Sequence, residues 1–282
     1  MKKFSVLLVA VSMVFVSGAF GQSLINDPDA DVSVYLEAEL GFVGILSHTL
    51  QIGDTGTNFD YVTQGGQEIL FPIDRYVAGI DIVDRHRVQF LYQPLLVATD
   101  VVFREDVTID GVVFAQDTPM NLSYGFPFYR LSYWFDFVEG DVLDLAAGLS
   151  LQLRNASIRF AAANGEALTV SQNLGPVPAI NLYGRYTDPS GLRLTLDAVG
   201  FYASSAFFNG ADFDFEGSIL DASLRVGYLL PRNVELFANL RFLGGSAKGT
   251  SEYEDRFWSE SVAAYTDNQL ATFILSLGAR IE

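Results

Sequence analysis

Apolar and polar residues alternate along much of the chain, and the clearest example runs from Leu143 to Arg154. Leucine or alanine occupies every odd position there, whereas Asp144, Ser150 and Gln152 stand among the even positions. A period of two predicts a β-strand, because successive side chains of a strand point to opposite faces. The segment therefore predicts a strand with one apolar and one polar face.

The same pattern occurs ten times, separated by four short turns and five longer loops in strict alternation. Turn-forming residues such as Asp188-Pro189-Ser190-Gly191 mark the short connections. Asn164-Gly165 and Gly175-Pro176 predict that residues 161–177 form a loop. The predicted strands are Val32–Leu50, Pro72–Val83, Val88–Phe103, Asn121–Val138, Leu143–Phe160, Ala179–Thr187, Leu192–Phe208, Phe213–Leu230, Val234–Leu243 and Leu270–Glu282.

Residues 1–21 have the features of a cleavable signal peptide. Lys2 and Lys3 form a basic start, Val6–Val16 is apolar, and the small residues Ala19 and Gly21 flank the end. We expect cleavage before Gln22, which leaves residues 22–282 as one mature domain.

An exported chain of amphipathic strands predicts an all-β fold, an antiparallel up-and-down transmembrane β-barrel of ten strands, with eight strands as the alternative. No segment after residue 21 approaches the roughly 20 consecutive apolar residues that a spanning helix needs. A closed sheet pairs every backbone group, as lipid requires. Short turns on one side and long loops on the other are typical of bacterial outer-membrane proteins, so we expect that location in a Gram-negative-type envelope.

The signal peptide, the alternating strands and the closing segment Leu270–Glu282 resemble the small bacterial outer-membrane β-barrel proteins as a broad class. Phe273, Leu275 and Leu277 share one face, similar to the terminal strand that the outer-membrane assembly machinery reads, but Glu282 replaces the terminal aromatic residue. The resemblance implies that membrane lipid, lipopolysaccharide and that machinery are partners. It implies no particular activity.

Charge and cysteine content exclude several classes of function. Removal of Lys2 and Lys3 changes the net charge from −17 to about −19, so nucleic acid is an unsuitable partner. The chain has no cysteine, which excludes disulfides and thiol chemistry, and we expect no cofactor. Fourteen of the remaining fifteen basic residues are arginine, the exception being Lys248, which favours enclosed ion pairs.

The polar strand faces predict a charged barrel interior with as many acids as arginines, because an unpaired buried charge costs several kcal/mol. One interpretation is a polar core that fills a narrow barrel. The other is a charged constriction that selects solutes. The residues predicted to line the lumen are Glu37, Glu39, Arg75, Asp81, Arg130, Asp136, Asp144, Arg154, Arg185, Arg193, Asp197, Asp221, Arg225, Glu235, Arg241 and Arg280.

Aromatic residues near the strand ends predict two girdles at the membrane interfaces. Those on the turn side are Tyr133, Phe135, Phe137, Tyr186 and Tyr228. Those on the loop side are Phe103, Tyr124, Phe126, Phe201, Phe207, Phe208, Phe213 and Phe242.

The two histidines do not fit a hydrolase site. His86 falls in a predicted turn, away from the outer mouth. His48 follows Ser47, and adjacent residues of a strand point to opposite faces, so the two cannot share a proton. The alternation predicts that His48 points outward. We therefore predict no catalytic residue.

The long loops are acidic, which predicts an electronegative outer mouth. Asp212, Asp214 and Glu216 share one face at a spacing of two and could attract a divalent cation. A solvated strand edge that discourages aggregation is the favoured interpretation. We predict no metal site.

These features favour a non-enzymatic, porin-like outer-membrane protein that is a narrow channel for small solutes. A non-conducting, surface-exposed structural or adhesive barrel is the alternative, and a lipid-modifying enzyme is a third hypothesis. The sequence leaves the solute, the binding partner and the oligomeric state open.

Overall fold

The computed structural model describes residues 31–83, 85–205, 214–250 and 265–282. The predicted signal peptide, residues 1–21, lies outside these ranges. Within them the chain forms a closed antiparallel barrel of ten wall strands, which confirms the predicted fold class. No helix in the described residues is long and apolar enough to cross a membrane.

The described residues form fifteen strands. They are β1 (Val32–Ile52), β2 (Phe59–Asp60), β3 (Leu70–Ile82), β4 (His86–Gln93), β5 (Leu96–Val102), β6 (Val107–Ile109), β7 (Val112–Phe114), β8 (Pro119–Gly125), β9 (Phe128–Val138), β10 (Leu143–Ala162), β11 (Leu168–Thr187), β12 (Leu192–Ser204), β13 (Phe215–Leu230), β14 (Val234–Thr250) and β15 (Tyr265–Ile281).

The barrel wall follows the order β1-β3-β4-β9-β10-β11-β12-β13-β14-β15 and closes where β15 pairs with β1. Closure is antiparallel, from Leu36 opposite Ile281 to Ile52 opposite Thr266. We call the end with the short turns and Glu282 the turn end, and the opposite end the loop end.

Two predicted strands are each broken at a proline. Val88–Phe103 divides into β4 and β5 around Pro94, and Asn121–Val138 divides into β8 and β9 around Pro127. Proline has no N–H to give to a sheet, so it interrupts the hydrogen-bond ladder. Beyond the breaks, β8 pairs with the loop end of β10 and β5 pairs with β8 as an extra strand outside the ring.

The prediction that residues 161–177 form a loop is wrong over most of its length. The strand β10 continues to Ala162 and β11 begins at Leu168, with a turn at Asn164-Gly165 in which Gly165 has φ +78°. Pro176 lies inside β11. A proline is compatible with a strand when the edge that lacks its N–H needs no partner.

A register shift in β1 changes which residues face the interior. Between Ile45 and Ser47 the pairing with β15 slips by one residue. A slip of this kind moves the following side chains to the opposite face. Ser47 is therefore exposed and His48 is buried, so the prediction that His48 points outward is wrong.

The outer surface of the wall strands is apolar. Leu149, Leu182, Leu196 and Leu277 are each more than half exposed. The five turn-side aromatics are exposed as predicted. On the loop side, Phe242 is exposed, Phe201 is partly buried, Phe103, Tyr124 and Phe126 pack inside, and Phe207, Phe208 and Phe213 lie outside the described residues. A closed barrel with an apolar outer surface is suited to the bacterial outer membrane, and we assign the chain to that location.

Closure between β1 and β15 can be tested because the chain has no cysteine. Gln51 and Asp267 lie opposite each other near the loop end, and directly opposed residues of a sheet are about 5 Å apart at Cβ. We expect a short bis-maleimide to join Gln51→Cys to Asp267→Cys in the folded protein and to change its migration in a denaturing gel. The single-cysteine variants and the unfolded double variant serve as controls. A folded double variant that does not cross-link would contradict closure.

Candidate functional site: the barrel interior

Glu39 is the centre of the buried charge network. One of its oxygens, Oε1, lies 2.7 Å from Arg75 Nη1 and 3.3 Å from Arg241 Nη2. The other, Oε2, accepts hydrogen bonds from Asn239 Nδ2 at 2.9 Å and from Ser276 Oγ at 2.7 Å. These partners come from β3, β14 and β15, so one carboxylate on β1 binds four wall strands together.

A second carboxylate, that of Asp221 on β13, extends this network across the lumen. Its Oδ1 lies 2.8 Å from Arg241 Nη1, and its Oδ2 lies 2.8 Å from Arg130 Nη2 on β9. Arg130 also donates to Gln152 Oε1 on β10. Three wall strands separate β9 from β13, so the pair between Arg130 and Asp221 spans the interior.

Glu37 completes what we call the central charged cluster, which consists of Glu37, Glu39, Arg75, Arg130, Asp221, Arg225 and Arg241. Its carboxylate lies 3.1 Å from Arg75 Nη1 and 2.7 Å from Arg225 Nη2. The Arg225 guanidinium also stacks 3.8 Å from the ring centroid of Phe237. Charge pairing and cation–π contact together compensate the removal of these groups from water.

A second group of charges lies closer to the turn end than the central charged cluster. We call it the turn-end charged cluster; it consists of Asp81, Arg87, Asp136, Asp144, Arg185, Arg193, Glu235, Arg280 and Glu282. Two of these residues were not predicted from the sequence. Arg87 lies within 3.6 Å of carboxylate oxygens on Asp81, Asp136 and Asp144. It comes just before the predicted start of its strand at Val88. Extending the alternation by one position toward the turn would have placed it inside.

Glu282 is the second missed residue. Its Oε1 lies 3.4 Å from Arg185, 3.1 Å from Arg193 and 2.9 Å from Arg280. Arg193 also pairs with Glu235 at 3.1 Å. The last residue, which departs from the aromatic terminus of the resembled class, therefore holds three arginines. Arg87 and Glu282 add one charge of each sign, so the predicted balance between acids and arginines is kept.

The structure places the predicted lumen residues as follows. Glu37, Glu39, Arg75, Arg130, Asp136, Asp144, Arg193, Asp221, Glu235, Arg241 and Arg280 are buried. Asp81, Arg185, Asp197 and Arg225 are partly buried. The side chain of Arg154 lies outside the described part of the structure. The network therefore brings together most of these residues, although their role in transport or binding stays a prediction.

An apolar layer covers the central charged cluster on its loop side. It contains inward-facing residues from six wall strands, namely Val43, Ile73, Leu91, Phe128, Leu243 and Ile274. Each is at most 6% exposed. The layer therefore borders the charged cluster on the side formed by these six strands.

Above this layer, a second hydrophobic core fills part of the loop end. We call it the loop-end core; it consists of Leu50, Ile52, Phe59, Tyr61, Phe103, Val107, Ile109, Phe114, Met120, Leu122, Tyr124, Ile158, Phe160 and Ala162. Residues 53–69 fold against it and are held by Thr57 N–H, which donates to Thr108 O at 2.8 Å, and by Thr99 Oγ1, which donates to Gly65 O at 2.6 Å. The connection between β1 and β3 is thus an ordered part of the interior.

His48 belongs to this core. Its ring stacks on Tyr61 with centroids 4.2 Å apart, and its Nδ1 lies 2.8 Å from Oε1 of buried Gln67. The edge of Tyr124 closes the other side. Burial raises the pKa of the Tyr61 hydroxyl well above its ordinary value. These contacts give His48 a packing role. His86, by contrast, is exposed at the turn end and bonds Tyr133 Oη.

Two small cavities lie among the described residues of the charged half of the barrel. One of about 20 Å³ is lined by residues that include Arg87, Asp197 and Arg225, and one of about 10 Å³ lies beside Glu39 and Arg75. A cavity of this size holds about one water molecule. Around these two cavities the interior is therefore occupied by side chains.

The acidic residues considered for cation binding do not come together as a described site. Asp214 and Glu216 are exposed, and Asp212 lies outside the described residues. Glu216 stands opposite Lys248 in the ladder between β13 and β14. No group of three or more potential ligands that could hold a metal ion occurs in the described part of the chain.

No protein-family model and no curated protein matches the sequence. Among solved structures, the chain is similar to the outer membrane protease OmpT from Escherichia coli, with 11% identity over 92% of this chain and 99% of that chain and a TM-score of 0.45. It is also similar to a FadL homologue from Pseudomonas aeruginosa, with 9% identity over 88% of this chain and 90% of that chain and a TM-score of 0.38. A third similar structure is Ail, the attachment invasion locus protein of Yersinia pestis, with 7% identity over 88% of this chain and 98% of that chain and a TM-score of 0.34. Similarity at this level assigns no activity.

Removal of the central carboxylate should destabilise the barrel. We expect Glu39→Ala to lower the free energy of unfolding by about 3 kcal/mol or more, because Arg75 and Arg241 lose a buried partner. Urea unfolding of the refolded protein in lipid vesicles measures this. The matched control is Glu166→Ala in the exposed turn between β10 and β11, for which a change within about 0.5 kcal/mol is expected. Equal midpoints for the two variants would contradict the central role of Glu39.

Proposed function

We propose that this protein is a non-conducting, non-enzymatic outer-membrane barrel that anchors a folded binding structure at the cell surface. The filled interior carries this proposal. The ion pair of Arg130 and Asp221 spans the lumen, the apolar layer lies directly above it, and the remaining charged-half cavities hold about one water each. A solute channel would need a continuous wet path through both layers.

The energetics of the interior support a permanent closure. Opening a path would separate charges that are paired between strands that are not neighbours in the wall, namely Arg130 with Asp221 at 2.8 Å and Arg225 with Glu37 at 2.7 Å. Breaking a buried pair typically costs about 3–5 kcal/mol. The network therefore favours the second of the sequence-based hypotheses over the narrow channel.

The loop end supplies the surface for binding. The connection from β5 to β8 contains the hairpin of β6 and β7, which packs on the loop-end core through Val107, Ile109 and Phe114. Exposed acids, including Glu105 and Asp117, lie on the same connection. Such an acidic projection could contact a partner at the surface.

The packing of His48 favours a non-enzymatic role. Its ring is 1% exposed and contacts Tyr61 and Tyr124, so a substrate could not reach it without unfolding the loop-end core. A general base must come within hydrogen-bond reach of the proton that it removes.

Planar-bilayer recording tests the proposal. We expect refolded mature protein to give no single-channel steps, because the charged clusters and the apolar layer fill the lumen. Heat-modifiable migration and protection from protease in vesicles made from the same sample provide the folding control. Reproducible cation-selective steps from folded protein would overturn the proposal and support the channel hypothesis.

A further inference from the structure

Among the described residues, the barrel wall has a lateral gap near its loop end, between β11 and β12. These strands pair from Thr187 opposite Arg193 up to Ile180 opposite Gly200, where their ladder ends. On its other side, β11 pairs with β10 much further, as far as Leu168. About half of β11 therefore forms one side of an opening in the wall.

Two prolines explain where this ladder ends. Every second residue of β11 points its backbone nitrogen toward β12, and Ile180 is one of them. If the pairing continued beyond Ile180, the next two such residues would be Pro178 and Pro176. Pairing with β10 is uninterrupted through both prolines, so their missing N–H groups lie on the β12 edge. Both prolines are exposed on the outer wall. The opening is thus a consequence of the sequence Gly175-Pro176-Val177-Pro178.

A cavity of about 280 Å³ lies behind this opening. Gly175, Pro176 and Val177 line it on the β11 side, and Phe215 and Ile219 line it on the β13 side. Leu243 from the apolar layer and Ile158 from the loop-end core also contact it, so the cavity lies above the charged half of the barrel. None of its described lining residues carries a charge.

The cavity also contains a hydrogen-bond acceptor that needs a donor. Asn268 lines it and donates from Nδ2 to Tyr124 Oη at 3.1 Å. Its Oδ1 is buried and accepts no hydrogen bond from the described residues. An unsatisfied buried acceptor is destabilising, and a bound hydroxyl or amide group would supply the missing hydrogen bond.

From this geometry we infer that the cavity binds an uncharged alkyl chain bearing a hydrogen-bond donor. Apolar walls remove the chain from water, and one polar group fixes its orientation, as in other small-molecule sites. The chain could come from a membrane lipid through the lateral opening or from an apolar molecule outside the cell. This inference does not depend on conductance, because the cavity lies on the loop side of the charged clusters.

Photo-crosslinking in lipid vesicles tests the inference with a medium-chain alkyl alcohol that carries a diazirine. We expect saturable adducts on peptides that line the cavity, including that around Val177, and competition by unlabelled alcohol. Adducts on lipid-facing residues such as Leu149 provide an internal standard for folded protein in the same sample.

Filling the cavity should remove its adducts selectively. A Cβ at Gly175 would meet no atom within 4 Å, so Gly175→Leu adds bulk into open space. We expect Gly175→Leu, and Ala247→Leu from the β14 side of the cavity, to lower cavity labelling about tenfold. The control Ala98→Leu adds the same bulk as Ala247→Leu, but on the exposed face of β5, and should leave the labelling unchanged.

The source of the chain follows from a second probe, a phospholipid with the diazirine on its acyl chain. Cavity labelling by this probe would support entry from the bilayer, whereas labelling by the free alcohol alone would support binding from outside. The inference is overturned if neither probe labels the cavity of folded protein. It is also overturned if the cavity is labelled to the same extent in the Gly175→Leu and Ala98→Leu variants.

Discussion

Charges enclosed in a narrow barrel must be neutralised by one another, and this constraint shapes the interior of this protein. Glu39 alone contacts groups from β3, β14 and β15, and Asp221 connects β13 to β9 across the lumen. Buried ion pairs add little net stability compared with an apolar core, but losing one partner is costly. The network therefore specifies the register of the strands that carry it.

The interior is layered, and each layer has a different physical basis. Ion pairs fill the turn-end half, aliphatic and aromatic side chains fill the middle, and the loop-end core supports the surface connections. The wall is continuous where the backbone N–H groups of neighbouring strands can pair. It is interrupted between β11 and β12, where Pro176 and Pro178 have no N–H to donate and the ladder ends.

Much of the fold could be predicted because lipid allows few alternatives. Alternation along Leu143–Phe160 indicated both the strand and its orientation, and β10 extends it by two residues. The turn signal of Gly175-Pro176 predicts a loop wrongly, because a local signal does not show whether a strand has a neighbour on that edge. The alternation predicts the wrong face for His48, because a β-bulge shifts the alternation and no residue type in the sequence marks that shift.

The charged interior, like the fold, could be predicted from the sequence only in part. Alternation selected the charged residues that face inward and predicted their balance, since both follow from the two-residue period and the cost of unpaired charge. It missed Arg87 and Glu282 at the ends of strands, where the pattern is too short to read. Which arginine meets which carboxylate depends on strand order and register, so the pair between Arg130 and Asp221, 91 residues apart, exists only in the closed barrel.

The sequence by itself thus determined the strand-rich barrel, its apolar exterior and its charged interior. These features follow from the local alternation between residues that face lipid and residues that face the barrel interior. The tertiary structure alone decided that paired charges cross the lumen, that His48 is buried, and that a cavity opens between β11 and β12. Those features depend on contacts between distant strands, which local periodicity does not encode.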